Sequence, residues 1–449
     1  MAALLFLLLL AVPACGPAPL GATERPDILL ISLDTLRADH LGCYGYDRDT
    51  SPFLDSLARR GTYFPCSFIN TLGTTPSHVT MLSSLYQETH KVEYHHLEGQ
   101  TAFDVIPGAV RLLPELLKQQ GYVTLGVHGG GRMSPKFGFG RGFDEYVWRR
   151  TLDGQVGQML ELLDQHRAGG RPVFAFFHTY EVHAPYLPPD YLRDCFDPAP
   201  GLYEPTVENL RRFKRTVLEQ LGPEDLAGFV ASYDAGIRYT DEVMKGLFAR
   251  LRQSGFLDNC LVVVTSDHGE EFGEHGGLLH RVLNFEELIQ VPLIINGPGV
   301  PAGLMDGRMA VAVDIVPTIL SYAGIAARPE MEGLDLLAPA PPERAGPEAA
   351  IVAQAGNLRY TLRTREWKLI QNIRQDRLEL FNLTRDPAEQ RNLAGHRRHR
   401  WQRDAMLRTL ERWKSERLIL PDERRKAELT GEDLDLLKEL GYVYDDAGD

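Results

Sequence analysis

An α/β fold is predicted, with a mixed, mostly parallel central sheet between helix layers and a small C-terminal α+β subdomain. Three observations predict it. Asp27–Leu33 and Leu261–Val264 are continuous apolar, β-rich runs, the pattern of strands buried on both faces of a sheet. Strand-like and helix-like stretches alternate from Arg25 to about residue 330, as successive β and α units do. Beyond a proline-rich break at Leu337–Pro342, Tyr360–Arg363 and Trp367–Ile370 read as strands of a second, smaller sheet.

Each element can be justified in order. Met1–Val12 is apolar but too short to span a bilayer, which needs about 20 apolar residues, so it reads as the core of an export signal. Val12-Pro13-Ala14-Cys15 is an imperfect bacterial lipobox. Lipidation of Cys15 would attach the chain to a membrane, in the cell envelope or periplasm. Ordinary cleavage would leave it secreted, and both readings stay open. Residues 1–24 are thus assigned to signal and linker, 25–337 to a catalytic domain and 338–449 to a C-terminal subdomain with closing helices.

The strand Asp27–Leu33 delivers Asp34 to the sheet's carboxyl edge, where ligands bind in open α/β sheets. Pro76 suits the first turn of a helix running to Leu85, which puts the Thr74 hydroxyl at a helix N-terminus. Tyr122–Val127 is a strand ending at His128, and Val173–Phe177 is a buried strand leading into a loop with His183. Tyr239–Leu251 reads as a covering amphipathic helix. The Leu261–Val264 strand delivers Asp267-His268. His396–Glu416 reads as an exposed basic helix and Leu434–Tyr444 as a closing one.

These residues carry a resemblance to a known family. Asp34-Thr35-Leu36-Arg37-Ala38-Asp39-His40-Leu41-Gly42-Cys43-Tyr44-Gly45, Pro76-Ser77-His78, Ser266-Asp267-His268-Gly269-Glu270, Glu274-His275-Gly276, Asp314-Ile315-Val316-Pro317-Thr318 and Leu380–Pro387 with Asn392-Leu393 resemble the sulfatase branch of the alkaline phosphatase superfamily. The resemblance implies a metal-dependent hydrolase of oxyanion esters. Its metal ligands would be Asp34, Thr74, Asp267 and His268.

The departures are informative. Sulfatases of that branch carry Cys-x-Pro-Ser-Arg, or Ser in place of Cys, and oxidise the first residue to formylglycine. Here Thr74 stands at that position, and none of the five cysteines is followed by x-Pro-x-Arg. No formylglycine is expected. In relatives with threonine there, a metal-bound hydroxyl attacks phosphorus. Asp267-His268 replaces an Asp-Asn pair, and an imidazole ligand suits manganese or zinc better than calcium. One divalent ion is expected, among Mn, Zn, Mg and Ca, with calcium the least suited. A second ion on Glu181, His183 and His280 would match two-metal relatives, but Thr179 stands where they use an aspartate.

Thr74 is expected to be the nucleophile, with His183 and His280 as catalytic and substrate-binding groups. His183 is assigned to the leaving oxygen, and His78 and His128 to substrate binding. Gly129-Gly130-Gly131 replaces lysine and histidine common in arylsulfatases, so part of the cationic grip on sulfate is missing. A threonine ester cannot expel sulfate by carbon–oxygen cleavage and needs a second attack at the central atom, a route that suits phosphorus. Phosphate or phosphonate ester hydrolysis is therefore expected. The alternatives are a sulfuric ester hydrolase using Thr, a phospho-headgroup transferase and a catalytically inactive binding protein.

Composition agrees. A chain of 449 residues with net charge −13 can bury a large core but lacks the excess of basic residues that a nucleic-acid partner would require. An anionic small-molecule, glycan or lipid ester is the expected partner, drawn in locally by the metal and the histidines.

Overall fold

The computed structural model describes residues 25–97, 100–167, 169–196, 206, 221–280, 283–346, 349–356, 358–417, 420 and 425–440. The expected signal and Cys15 lie outside them. The central sheet has eight strands: β1 (Asp27–Leu33), β2 (Thr62–Tyr63), β3 (Val123–His128), β4 (Glu145–Trp148), β5 (Val173–Thr179), β6 (Cys260–Thr265), β7 (Leu293–Asn296) and β8 (Leu304–Met305). Their spatial order is β8-β2-β7-β6-β1-β5-β3-β4. β1 lies parallel between β5 and β6, β3 lies parallel to β4 and β5, and β7 runs antiparallel to β2 and β6. The sheet is therefore mixed and mostly parallel, as expected.

Side-chain alternation along β1 divides the core in two. Leu29, Ile31 and Leu33 pack with α1 (Pro52–Arg60), and with α4 (Leu152–Arg167) and α5 (Pro223–Gln253) on the same face. Ile28 and Leu30 pack on the other face with α2 (Thr74–Ser83), α3 (Leu113–Gln119) and α6 (Ile315–Tyr322). Period-two alternation within a strand apolar on both faces produces this three-layer arrangement.

α5 starts well before the expected Tyr239. Pro223 occupies its first turn and the Asp225 carboxylate accepts the Gly222 N–H at 2.9 Å, a strong start signal. Its periodicity was obscured because the buried face carries Asp234 and Asp241. Asp234 accepts from His40 Nδ1 and Tyr46 at 2.6 Å each. Asp241 accepts the Phe53 and Leu54 N–H groups at 2.9 and 2.8 Å, capping α1 from outside.

The C-terminal sheet is a four-stranded antiparallel meander, β9 (Ala350–Ala355), β10 (Arg359–Thr364), β11 (Trp367–Asn372) and β12 (Arg377–Asn382). Leu362, Leu369 and Leu380 on one face pack under α7 (Arg400–Ser415). The closing helix α8 (Gly431–Glu439) starts three residues before the expected Leu434, with Thr430 and Asp433 forming its capping box.

Candidate active site

β1 and β6 are neighbours in register, and the chain leaves both at the same edge. The Thr35 N–H donates to Asp267 Oδ1 at 3.2 Å and the Leu36 N–H to Ser266 Oγ at 2.9 Å. Thr35 has φ 59°, an uncommon conformation for a β-branched residue. The turn after β1 is thus fixed against the turn after β6.

Helix α2 brings Thr74 to the same point. Gly73 with φ 101° precedes it, and Thr74 is the first helical residue. Ser77 Oγ donates to the Asp267 carbonyl at 2.7 Å. His78 Nδ1 lies 2.7 Å from the Thr74 carbonyl, and its Nε2 lies 2.9 Å from Ser32 Oγ. A carbonyl only accepts, so Nδ1 carries the proton and Nε2 accepts from Ser32. His78 therefore ties the base of α2 to β1 with both ring nitrogens, and as placed it presents neither to a substrate. The helix ends at Ser83, where Ser84 adopts φ 60°.

Asp34, Asp267 and His268 are fully buried, and their ligand atoms lie within 4.8 Å of one another. Asp34 Oδ1 and Asp267 Oδ2 are buried and have no hydrogen-bond partner among the described residues. His268 Nδ1 donates to the Gly269 carbonyl at 3.0 Å, which leaves Nε2 as the ring's lone-pair nitrogen, 3.5 Å from Thr74 Oγ1. Burial first, and the facing Asp267 carboxylate second, push the Asp34 carboxyl well above the usual carboxylate range. Two orphaned carboxylate oxygens, an imidazole lone pair and a hydroxyl are what a divalent cation of borderline character takes. These four residues fit the metal that the sequence implied.

His178, which the sequence reading passed over, supports Asp34. Its Nε2 is 3.2 Å from Asp34 Oδ2 and its Nδ1 accepts the Gly129 N–H at 3.5 Å. As the other partner of Asp34 it holds the carboxylate in orientation. The signal was a histidine inside an otherwise apolar strand, paired with Ser32 in register.

Two more histidines complete a row. The His280 ring lies 4.5 Å from that of His268 and 5.0 Å from that of His183. His183 Nδ1 donates to the Ala184 carbonyl at 2.6 Å. Burial and the neighbouring His280 push His183 down to about 3. His280 Nδ1 instead meets Glu270 Oε1 at 3.0 Å. A carboxylate behind the ring orients it and stabilises its protonated form, as a carbonyl does not to the same degree. Glu270 was visible in sequence only as a motif neighbour.

Other expected residues lie apart. His128 is stacked on Tyr146 with centroids 4.2 Å apart, its Nδ1 accepts the Gly130 N–H at 3.1 Å, and burial pushes it down to about 3. Glu181 is raised to about 7 by burial and by Asp153. Among the described residues Glu181, His183 and His280 form no common ligand cluster. Arg37 is engaged by Asp39 at 2.7 Å, Glu274 at 2.6 Å and the Glu270 carbonyl at 2.9 Å.

A second group, His275, Glu287 and Glu389, lies where the C-terminal sheet meets the segment carrying Asp267 and His280. Its cation is already present. Lys368 Nζ lies 2.9 Å from Glu389 and 3.1 Å from Glu286, and Arg363 lies 2.9 Å from Glu286. We read it as a joint between the two sheets.

A helix N-terminus, a buried carboxylate–imidazole–hydroxyl set and a row of histidines at the sheet's carboxyl edge define a hydrolase of anionic esters. The chain belongs to the Sulfatase family, whose profile matches residues 26–325, and its fold is that of the alkaline phosphatase superfamily. It acts on sulfate or phosphate esters, and enzymes of this family use a divalent metal. N-acetylglucosamine-6-O-sulfatase of Bacteroides thetaiotaomicron is 23% identical over 91% of this chain and 89% of its own length. The phosphonate monoester hydrolase of Agrobacterium radiobacter superposes with TM-score 0.71 at 20% identity, over 91% of this chain and 99% of that one. A protein solved with its substrate D-glucosamine-2-N,6-O-disulfate gives TM-score 0.70 at 19% identity, over 87% and 98%.

Proposed function

We propose that the chain hydrolyses a phosphate or phosphonate ester by two displacements through a covalent Thr74 ester. The observation that supports this is the Thr74 hydroxyl at the start of α2, beside two orphaned carboxylate oxygens and 3.5 Å from His268 Nε2. Asp34, Asp267, His268 and Thr74 would hold one divalent ion, which lowers the pKa of a bound hydroxyl and polarises a non-bridging oxygen. Manganese or zinc suits the set better than calcium.

The chain's own groups supply the rest. Thr74, entering the step as an alkoxide, forms a bond from Oγ to phosphorus as the bond to the leaving oxygen breaks, and the positive end of the α2 dipole faces the non-bridging oxygens. His280, backed by Glu270, gives a proton to the leaving oxygen. This reassigns a role expected of His183, whose ring is held neutral by burial. His183 then contacts the transferred group as a neutral ring. Water next attacks phosphorus, giving a proton to the His280 ring left neutral by the first step, and the bond from phosphorus to Thr74 Oγ breaks, so Thr74 leaves with its oxygen as the alkoxide.

A second reading is supported by the named activity of the Bacteroides relative: a sulfuric ester, borne by a glycan, turned over by the same threonine. Metal-loaded full-length protein tested on aryl phosphate, phosphodiester, phosphonate and sulfate separates the two. Turnover of sulfate alone would overturn the phosphorus assignment. We further propose export directed by Met1–Val12, with membrane attachment if Cys15 is lipidated. No helix among the described residues is long and apolar enough to cross a membrane. Labelled palmitate incorporation, lost in Cys15→Ser, tests the attachment.

A further inference from the structure

We propose that α8 forms the outer wall of the reaction site, where Leu436 and Leu440 seat the Gly129–Met133 loop and so position Thr75 and Tyr180 beside the transferred group. This rests on the reading of Thr74 as the attacking group. The loop follows β3 at the carboxyl edge of the sheet, and the two sides of its backbone touch different things. On the inner side, Thr75 Oγ1 donates to the Arg132 carbonyl at 3.2 Å. The Arg132 N–H donates to the Tyr180 hydroxyl at 3.1 Å. The Tyr180 ring meets His178 edge-on at 4.7 Å and His183 at 5.4 Å.

On the outer side lies α8. A Cβ added at Gly130 would stand 2.8 Å from Leu436 Cδ2 and 2.4 Å from Trp148 Nε1. One added at Gly131 would stand 2.4 Å from Leu440 Cδ1 and 3.3 Å from the Tyr180 hydroxyl. Both glycines have left-handed φ, +84° and +53°, so the loop's path and its clearance each favour the absence of a side chain. The partition between α8 and the reaction site is one backbone thick. Packed structures shift as units, so a displacement of the leucines passes to Thr75 and Tyr180.

α8 is held independently of the loop. Leu437 is buried, Lys136 pairs with Asp433 and donates to Thr430 Oγ1 at 3.3 Å, and Arg150 pairs with Glu439 at 3.0 Å. Gly130 and Gly131 thus acquire a physical reason: the volume a side chain would fill there is taken by Trp148, Leu436 and Leu440. Leu436, Leu440, Gly130 and Gly131 are positioning residues, since none is shown touching the reacting atoms.

The test uses the full-length chain with Leu436→Ala/Leu440→Ala, and separately Lys136→Asp with and without Asp433→Lys. Hydrogen exchange of residues 129–133 should quicken in the leucine variant and in Lys136→Asp. Exchange should return toward wild type in the reversed pair. kcat/KM for an aryl phosphate should fall at least about tenfold, within the roughly hundredfold that a 1 Å misplacement caused far from the chemistry can cost. Bound metal should stay unchanged. Faster exchange with wild-type kcat and KM would overturn the proposal, and so would unchanged exchange in both the leucine variant and Lys136→Asp. If wild type turns over neither phosphate nor sulfate, the reaction assignment fails by itself. Binding of inorganic phosphate to metal-loaded protein then replaces kcat/KM, and equal affinity in wild type and the leucine variant overturns the role of α8.

Discussion

Replacing Glu287 by Gln should change how stability depends on pH. The Glu287 side chain is 7% exposed, with Oε1 3.7 Å from His275 Nε2 and no hydrogen bond to that oxygen. Burial raises its carboxyl from 4.5 to about 8. Between those values the folded chain keeps a proton that the unfolded chain releases, so stability declines as pH rises through this window. The full rise corresponds to a ceiling of about 5 kcal/mol. Lys368, His275 and local relaxation lower the cost of ionisation, so about 2 kcal/mol is expected in practice. Glu389, raised to about 7, contributes with the same sign and would remain in the variant. Thermal midpoints at pH 5 and pH 9 read the effect, at a few degrees for this magnitude. Wild type should lose more than Glu287→Gln across the range. Parallel losses in the two proteins would show that Glu287 is already ionised when folded, and the account of the joint would be refuted.

Thr74→Ala should abolish turnover while costing about 1 kcal/mol or less in stability, since Gly73 and not Thr74 caps α2. Thr74→Ser should keep partial activity, and acid quench during wild-type turnover should trap a modified Thr74; wild-type rates in Thr74→Ala would end the nucleophile assignment. Asp34→Ala, Asp267→Ala and His268→Ala should each lower bound metal and activity together, and full metal content in all three, measured by elemental analysis, would dissolve the ligand set. Glu270→Gln should lower kcat more for poor leaving groups than for good ones, because a proton on the leaving oxygen matters most there. An equal fall for both would place Glu270 outside the proton path.

The sheet and the edge where Asp34, Asp267 and His268 meet were legible because β1 and β6 are uninterrupted apolar runs with aspartates just beyond. α5 was only half legible, since buried Asp234 and Asp241 break the period that marks a helix. The roles of His78 and His178 could not be read from sequence. A buried histidine reveals its work through its partners, and those partners, Ser32 and Asp34, lie 46 and 144 residues away. The rank of His183 and His280 depended on whether a carbonyl or a carboxylate stands behind each ring. The joint at Lys368 joins segments whose meeting no local pattern announces.

The bonds from Thr35 to Asp267 and from Leu36 to Ser266 span 232 and 230 residues. That span has a consequence for the order of assembly. When Asp34 and Thr74 leave the ribosome, Asp267 and His268 are not yet synthesised, so the proposed ligand set would be incomplete on the N-terminal half. Loop closure over such a distance is among the slow steps of a parallel sheet. With the proposed ligands, metal uptake would report the closure of β6 against β1, and hydrolytic competence would follow that closure.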